Sequence, residues 1–115
     1  MEKFSNKLVD LSVAFAIEIL NLVKYLKSQH ETIICNQIGR AGTSIGANIH
    51  EAQYAQGKAD FISKLQIALK ECSESEYWLE LLIESGYYAD KVVLEHCTEL
   101  KRLLIASLNT AKSKG

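Results

Sequence analysis

At 115 residues with 48% apolar composition, the chain has room for one domain with a real core, needing no metal or disulfide to hold it. Lys and Arg number 13 against 14 Asp and Glu, a formal net charge of -1 with 23% charged residues. That balance excludes a disordered polyelectrolyte and a broad cationic footprint for nucleic acid. Proline is absent and glycine numbers only 6, a profile that suits long helices and argues against many-turned β folds.

The first apolar-periodic segment spans about residues 5–27, starting near Ser5 and ending at Lys27. Ser28-Gln29-His30-Glu31 then reads as an S-x-x-E capping box that opens a second helix over about 29–56. Gly57 is placed just past that helix as a left-handed terminator. A third helix, about 59–85, carries Phe61, Leu65, Ala68, Cys72, Leu79 and Ile83 on one face and stops at Gly86. The fourth, about 90–111, carries Val92, Val93, Leu100, Leu103, Leu104 and Leu108 before a polar tail, Lys112-Ser113-Lys114-Gly115. Four helices joined by links this short fold as antiparallel neighbours, so the fold class is all-α, a single up-down-up-down four-helix bundle. The expected core includes Phe15, Leu22, Ile38, Ile45, Leu65, Leu79, Leu103 and Leu104.

Two of these helices carry more apolar surface than one core seam needs. In helix one, Leu8, Leu11, Phe15, Ile19, Leu22 and Leu26 form one stripe, and Val9, Val13, Ala16, Leu20 and Val23 form a second beside it. Leu94, Cys97, Ile105 and Leu108 widen the arc of helix four in the same way. Either both helices sit centrally and are covered by long side chains, or the surplus is a subunit interface.

Nothing in the chain reads as a membrane or export segment. Asp10 and Glu18 interrupt the early apolar run, Ala14-Phe15-Ala16 is no cleavage site, and the longest uncharged stretch is Ala41 to His50. Cys35, Cys72 and Cys97 form no C-x-x-C pair, which points to reduced thiols and a cytoplasmic protein.

Helix two is the informative segment. Gln37, Arg40, Ser44, Asn48 and Glu51 recur at spacings of 3, 4, 4 and 3, a polar stripe bordering the isoleucine stripe. Groups so placed need partners, and helix three offers Glu71 and Glu74, with Tyr77 and Trp78 a turn further on. Arg40 is expected to pair with Glu71 or Glu74, and Arg40, Asn48, Glu51, Glu71 and Glu74 to form one network. Its role is either to fix helix register or to build a ligand or catalytic site. One arginine among three carboxylates leaves surplus charge, so one glutamate should turn outward, pair with a lysine such as Lys70, or carry a raised pKa. Gly39, Gly42 and Gly46 lie on another face, each costing about 1 kcal/mol of helix propensity, and imply a close helix-to-helix approach.

Chemistry is otherwise sparse. No Glu-x-x-His pair exists for a di-metal carboxylate site, His30, His50 and His96 are isolated, and Cys72 lies on an apolar seam. No enzyme activity, metal or cofactor is expected. The best basic patch is Lys101 and Arg102 with Lys112 and Lys114.

The run Gln37-Ile38-Gly39-Arg40-Ala41 with Ser44-Ile45-Gly46-Ala47-Asn48-Ile49-His50-Glu51 resembles the signature of the four-helix-bundle proteins named for intervening sequences in 23S rRNA genes. Ala68-Leu69-Lys70-Glu71, Glu74 and Tyr77-Trp78-Leu79 resemble that family's third-helix pattern, whereas Ala52 stands where the family usually has glycine. The resemblance implies a small cytoplasmic bacterial bundle assembled as a homopentameric ring, without catalytic activity in most members. A similar branch, the accessory proteins of diversity-generating retroelements, binds nucleic acid through a strongly basic surface that this chain lacks. A non-catalytic scaffold is therefore expected, with a nucleic-acid-binding ring as the alternative.

Overall fold

The computed structural model describes residues 2–114, with side chains from residue 7 onward; Gly115, in the expected polar tail, lies outside the described residues. Four helices follow in order: α1 Glu2–Ser28, α2 Ile33–Ala52, α3 Lys58–Glu84 and α4 Val92–Ser113. Each packs on the next and α4 closes back on α1, giving the four-helix bundle, 48 × 20 × 19 Å. The antiparallel order shows in the α1–α2 contacts, where Val23 faces Gly39, Ile19 faces Gly42 and Ser12 faces Gly46, one number falling as the other rises.

The helix ends depart from the expected punctuation. Ser28 opens no capping box: it lies in the last turn of α1, and its hydroxyl donates to the Tyr25 carbonyl. The chain then turns through His30 at φ 61, with the His30 amide donating to Lys27 and the Glu31 amide to Leu26. This is a Schellman ending with histidine in the left-handed seat usually given to glycine. The cap of α2 is the carboxylate of Glu31. It is buried and accepts from the amides of Ile33 and Ile34, both at 3.2 Å, and of Cys35 at 2.7 Å, which are otherwise orphan donors of the first turn.

Further on, α2 ends at Ala52 rather than reaching residue 56. Gly57 is not left-handed; with φ -179 it is extended and precedes α3. Gly86 at φ 85 does terminate α3 in the expected way, its amide donating to Ile83 and that of Tyr87 to Leu82.

The core is a single cluster drawn from all four helices, including Phe15, Leu22, Ile38, Ile45, Leu65, Leu79 and Leu104. Leu103 is the exception among the expected core residues, being only half-buried against that cluster, because α4 turns its neighbours Leu100 and Leu104 inward. Ser12, Ser75 and Ser107 are buried as well, and each donates to a carbonyl of its own helix three or four residues back, so these small residues carry no unmet polar group inward.

The two surplus apolar arcs have different fates. On α4, Cys97 and Leu108 are buried and Leu94 half-buried, so only Ile105 of the widening residues faces solvent. On α1, Val9 and Val23 are half-buried, but Val13 and Leu20 join Ile17 in an open ridge, 52%, 52% and 54% exposed.

Candidate functional site

The polar strip between α2 and α3 forms because helical periodicity aligns Arg40 on α2 opposite Glu71 and Glu74 on α3. The guanidinium divides between them, Nη1 lying 3.2 Å from Glu71 Oε1 and Nη2 2.5 Å from Glu74 Oε2. Glu74 Oε2 also accepts from the Trp78 indole N–H at 3.0 Å. That indole bond, followed by the Arg40 guanidinium, holds the Glu74 carboxyl below its ordinary range against a desolvation that works the other way. Glu74 correspondingly raises Arg40. Trp78 in turn packs edge-on against Tyr77, with ring centroids 5.0 Å apart.

The network is smaller than the sequence suggests. Asn48 does not reach α3; its amide donates to the Ser44 carbonyl, and the Ser44 hydroxyl donates to the Arg40 carbonyl. Both spend their polarity on their own helix, because side chains this short reach the carbonyl four residues back more readily than a facing helix. Glu51 is the carboxylate that turns outward, and its partner is Lys64 at 3.3 Å rather than Lys70. Lys70 acts on Glu74 only at a distance, as a lowering charge. Surplus negative charge is thus relieved by outward rotation, and Glu74 is lowered, not raised. Gln37 is exposed. Arg40 itself is 53% exposed, so the strip is a half-wet clasp rather than a buried ion cluster.

One member of the expected basic patch is already paired. Lys101 Nζ lies 2.8 Å from Glu76 Oε1, a bond that raises the lysine, and Thr98 donates to the other oxygen of Glu76 at 3.1 Å. Lys101 therefore ties α4 to α3, while Arg102, Lys112 and Lys114 are exposed. A further link invisible in the sequence joins α1 to α4, where His96 Nδ1 lies 2.8 and 2.9 Å from the two oxygens of Glu18. Those residues are 78 positions apart, and no local spacing signals the pair. The Glu74–Trp78 bond did have a signal, the i, i+4 spacing of donor and acceptor on one helix.

Among the described residues, no group of three or more His, Cys, Asp or Glu is placed to hold a metal ion, and no helix is long and apolar enough to cross a membrane. The helix-two and helix-three patterns that carry this strip fall within residues 5–106, which match the family model described as 23S rRNA-intervening sequence protein. The chain belongs to the 23S rRNA-intervening sequence protein family. Its fold is similar to the crystal structure of a protein of unknown function from the S23 ribosomal protein family of Bacteroides thetaiotaomicron VPI-5482. The two are 48% identical over 92% of this chain and 98% of that one, with a TM-score of 0.89. No curated protein matches the chain. In this intervening-sequence bundle Ala52, the last residue of α2, seats its methyl group in the core.

Proposed function

We propose that this chain is a non-catalytic cytoplasmic assembly module that works as a homo-oligomer, a ring of five being the count its family resemblance implies. The observation that carries the reading is the open ridge Val13, Ile17 and Leu20. The opposite face of α1 is already spent on the core, so covering the ridge takes a second surface, and another copy of the chain supplies one at every position of a closed ring. In the α2–α3 strip Arg40 and Glu74 are spent on each other and on Trp78, which supports a structural role for these three side chains. Three free thiols accord with a reducing compartment.

Sedimentation equilibrium at micromolar concentration is expected to give a species near five times the 12.8 kDa chain. Ile17→Glu combined with Leu20→Lys should release a monomer that keeps its helical circular dichroism. A wild-type monomer would overturn the proposal; a dimer or trimer would keep the interface and overturn the ring of five.

Nucleic-acid binding through Lys101, Arg102, Lys112 and Lys114 is the competing reading, and it ranks second because Lys101 is already neutralised by Glu76. Filter binding with structured RNA and duplex DNA at low salt is expected to be weak. Tight, salt-sensitive retention lost in Arg102→Ala would reverse the order.

A further inference from the structure

The α3–α4 contact contains a feature that neither assembly nor the polar strip uses. Cys72 and Cys97 are both fully buried, and their sulfurs stand 3.8 Å apart. Each thiol lies within hydrogen-bonding reach of the other residue's carbonyl, Cys72 Sγ at 3.3 Å from Cys97 O and Cys97 Sγ at 3.4 Å from Cys72 O. The two residues are 25 positions apart and are brought face to face only by the antiparallel packing of two helices. Cys35, the third cysteine, is buried elsewhere, with its thiol directed at the Val23 carbonyl of α1.

We propose that Cys72 and Cys97 are a latent cross-link between α3 and α4, closed by a low-molecular-weight disulfide such as oxidised glutathione and gated by separation of the two helices. In the first step the thiolate of one cysteine attacks a glutathione sulfur. The glutathione S–S bond breaks, one glutathione thiol leaves, and a mixed disulfide remains on the protein. The second cysteine's thiolate then attacks the protein sulfur of that mixed disulfide and displaces the second glutathione. One S–S bond has formed and one has broken, two electrons have passed from the protein to the oxidant, and the two thiol protons end on the two glutathione thiols.

Gating follows from the surroundings. A glutathione adduct cannot fit where neither cysteine has any exposed surface. The neighbouring Cys72 thiol, and then burial, keep Cys97 in its protonated, unreactive form. The pair is therefore inert while α4 lies on α3, and becomes oxidisable when α4 lifts away. On return, the fold holds the second sulfur against the first, and the bond closes with little further ordering.

The test uses the full chain carrying Cys35→Ala, equilibrated in mixtures of reduced and oxidised glutathione, with free thiols alkylated and linked peptides identified by mass. The ratio of oxidised to reduced protein at each glutathione mixture gives the effective concentration of one thiol at the other. It is expected to be on the order of 100-fold higher in native buffer than in strong urea, because the fold has already closed the intervening loop. The approach to equilibrium should quicken as urea rises below the unfolding transition, and the cross-linked chain should melt on the order of 10 °C higher than the reduced one. An effective concentration equal to or below that in strong urea would overturn the proposal. So would persistent glutathione adducts or bonds between chains. A rate independent of urea would overturn the gating.

Discussion

The two flanks of α2 meet their neighbours by opposite means. Toward α1, Gly39, Gly42 and Gly46 leave room for Val23, Ile19 and Ser12, and no ion pair crosses that seam among the described residues. Toward α3, Arg40 reaches Glu71 and Glu74, and Glu51 reaches Lys64. The first flank works at van der Waals range, where a single added carbon must displace something. The ion pairs of the second flank are made by long flexible side chains whose charged ends are partly in water, so those pairs tolerate change and contribute modestly beside the close apolar packing of α2 on α3. The glycine seam is therefore expected to be more sensitive to substitution than the charges, the reverse of the weight that a list of polar motifs would assign.

The sharpest way to break that comparison is Gly42→Ala. A Cβ there would lie 2.7 and 2.9 Å from carbons of Ile19, and overpacking of about 1–3 kcal/mol, less roughly 1 kcal/mol of regained helix propensity, leaves about 0–2 kcal/mol of destabilisation, at the upper end because the fully buried Ile19 has little room to move. Urea unfolding should show a lower midpoint at unchanged slope. Glu31→Ala tests an anchor of α2 that belongs to neither flank. Losing the acceptor for three amides is expected to cost about 1 kcal/mol, and amide exchange should quicken at Ile33, Ile34 and Cys35.

Arg40→Ala comes next. Its exposure limits the loss to about 2–4 °C in Tm, and the deficit should shrink in high salt. A drop larger than that of Gly42→Ala would invert the ranking of the flanks.

The Glu74 carboxyl adds a pH signature to the same side. Because its folded pKa lies below the 4.5 of the free group, the unfolded chain takes up that proton first as pH falls. The contribution is therefore complete above roughly pH 5 and is lost as pH drops through the folded value. The Tm gap between wild type and Glu74→Gln should be constant at neutral pH and narrow in acid. The smallest effect is expected at Gly39→Ala, where the new carbon meets only Val23 Cγ2 at 3.2 Å. A slight shift of that side chain should offset the gain in helix propensity and leave stability within about 0.5 kcal/mol of wild type.

By itself, the sequence determined whatever depends on a residue's near neighbours. Periodicity of apolar residues established four helices and most of their buried faces, Gly86 marked an end, and the 3, 4, 4, 3 spacing marked Arg40 as a core-bordering charge that needs a partner. The S-x-x-E pattern puts Ser28 at the cap of α2, and the cap is instead Glu31, because Ser28 is drawn into the last turn of α1. Only the left-handed turn at His30 directs the Glu31 carboxylate onto the free amides. Nor could the sequence tell that Asn48 folds back on its own helix, that Glu51 chooses Lys64, or that Glu18 meets His96. Those choices depend on the rotation and register of whole helices, which the summed packing of the core sets and which no short stretch of chain encodes. The meeting of Cys72 with Cys97 and the openness of Val13, Ile17 and Leu20 were decided at the same level. Which face of a helix is left over is known only once its neighbours have taken theirs.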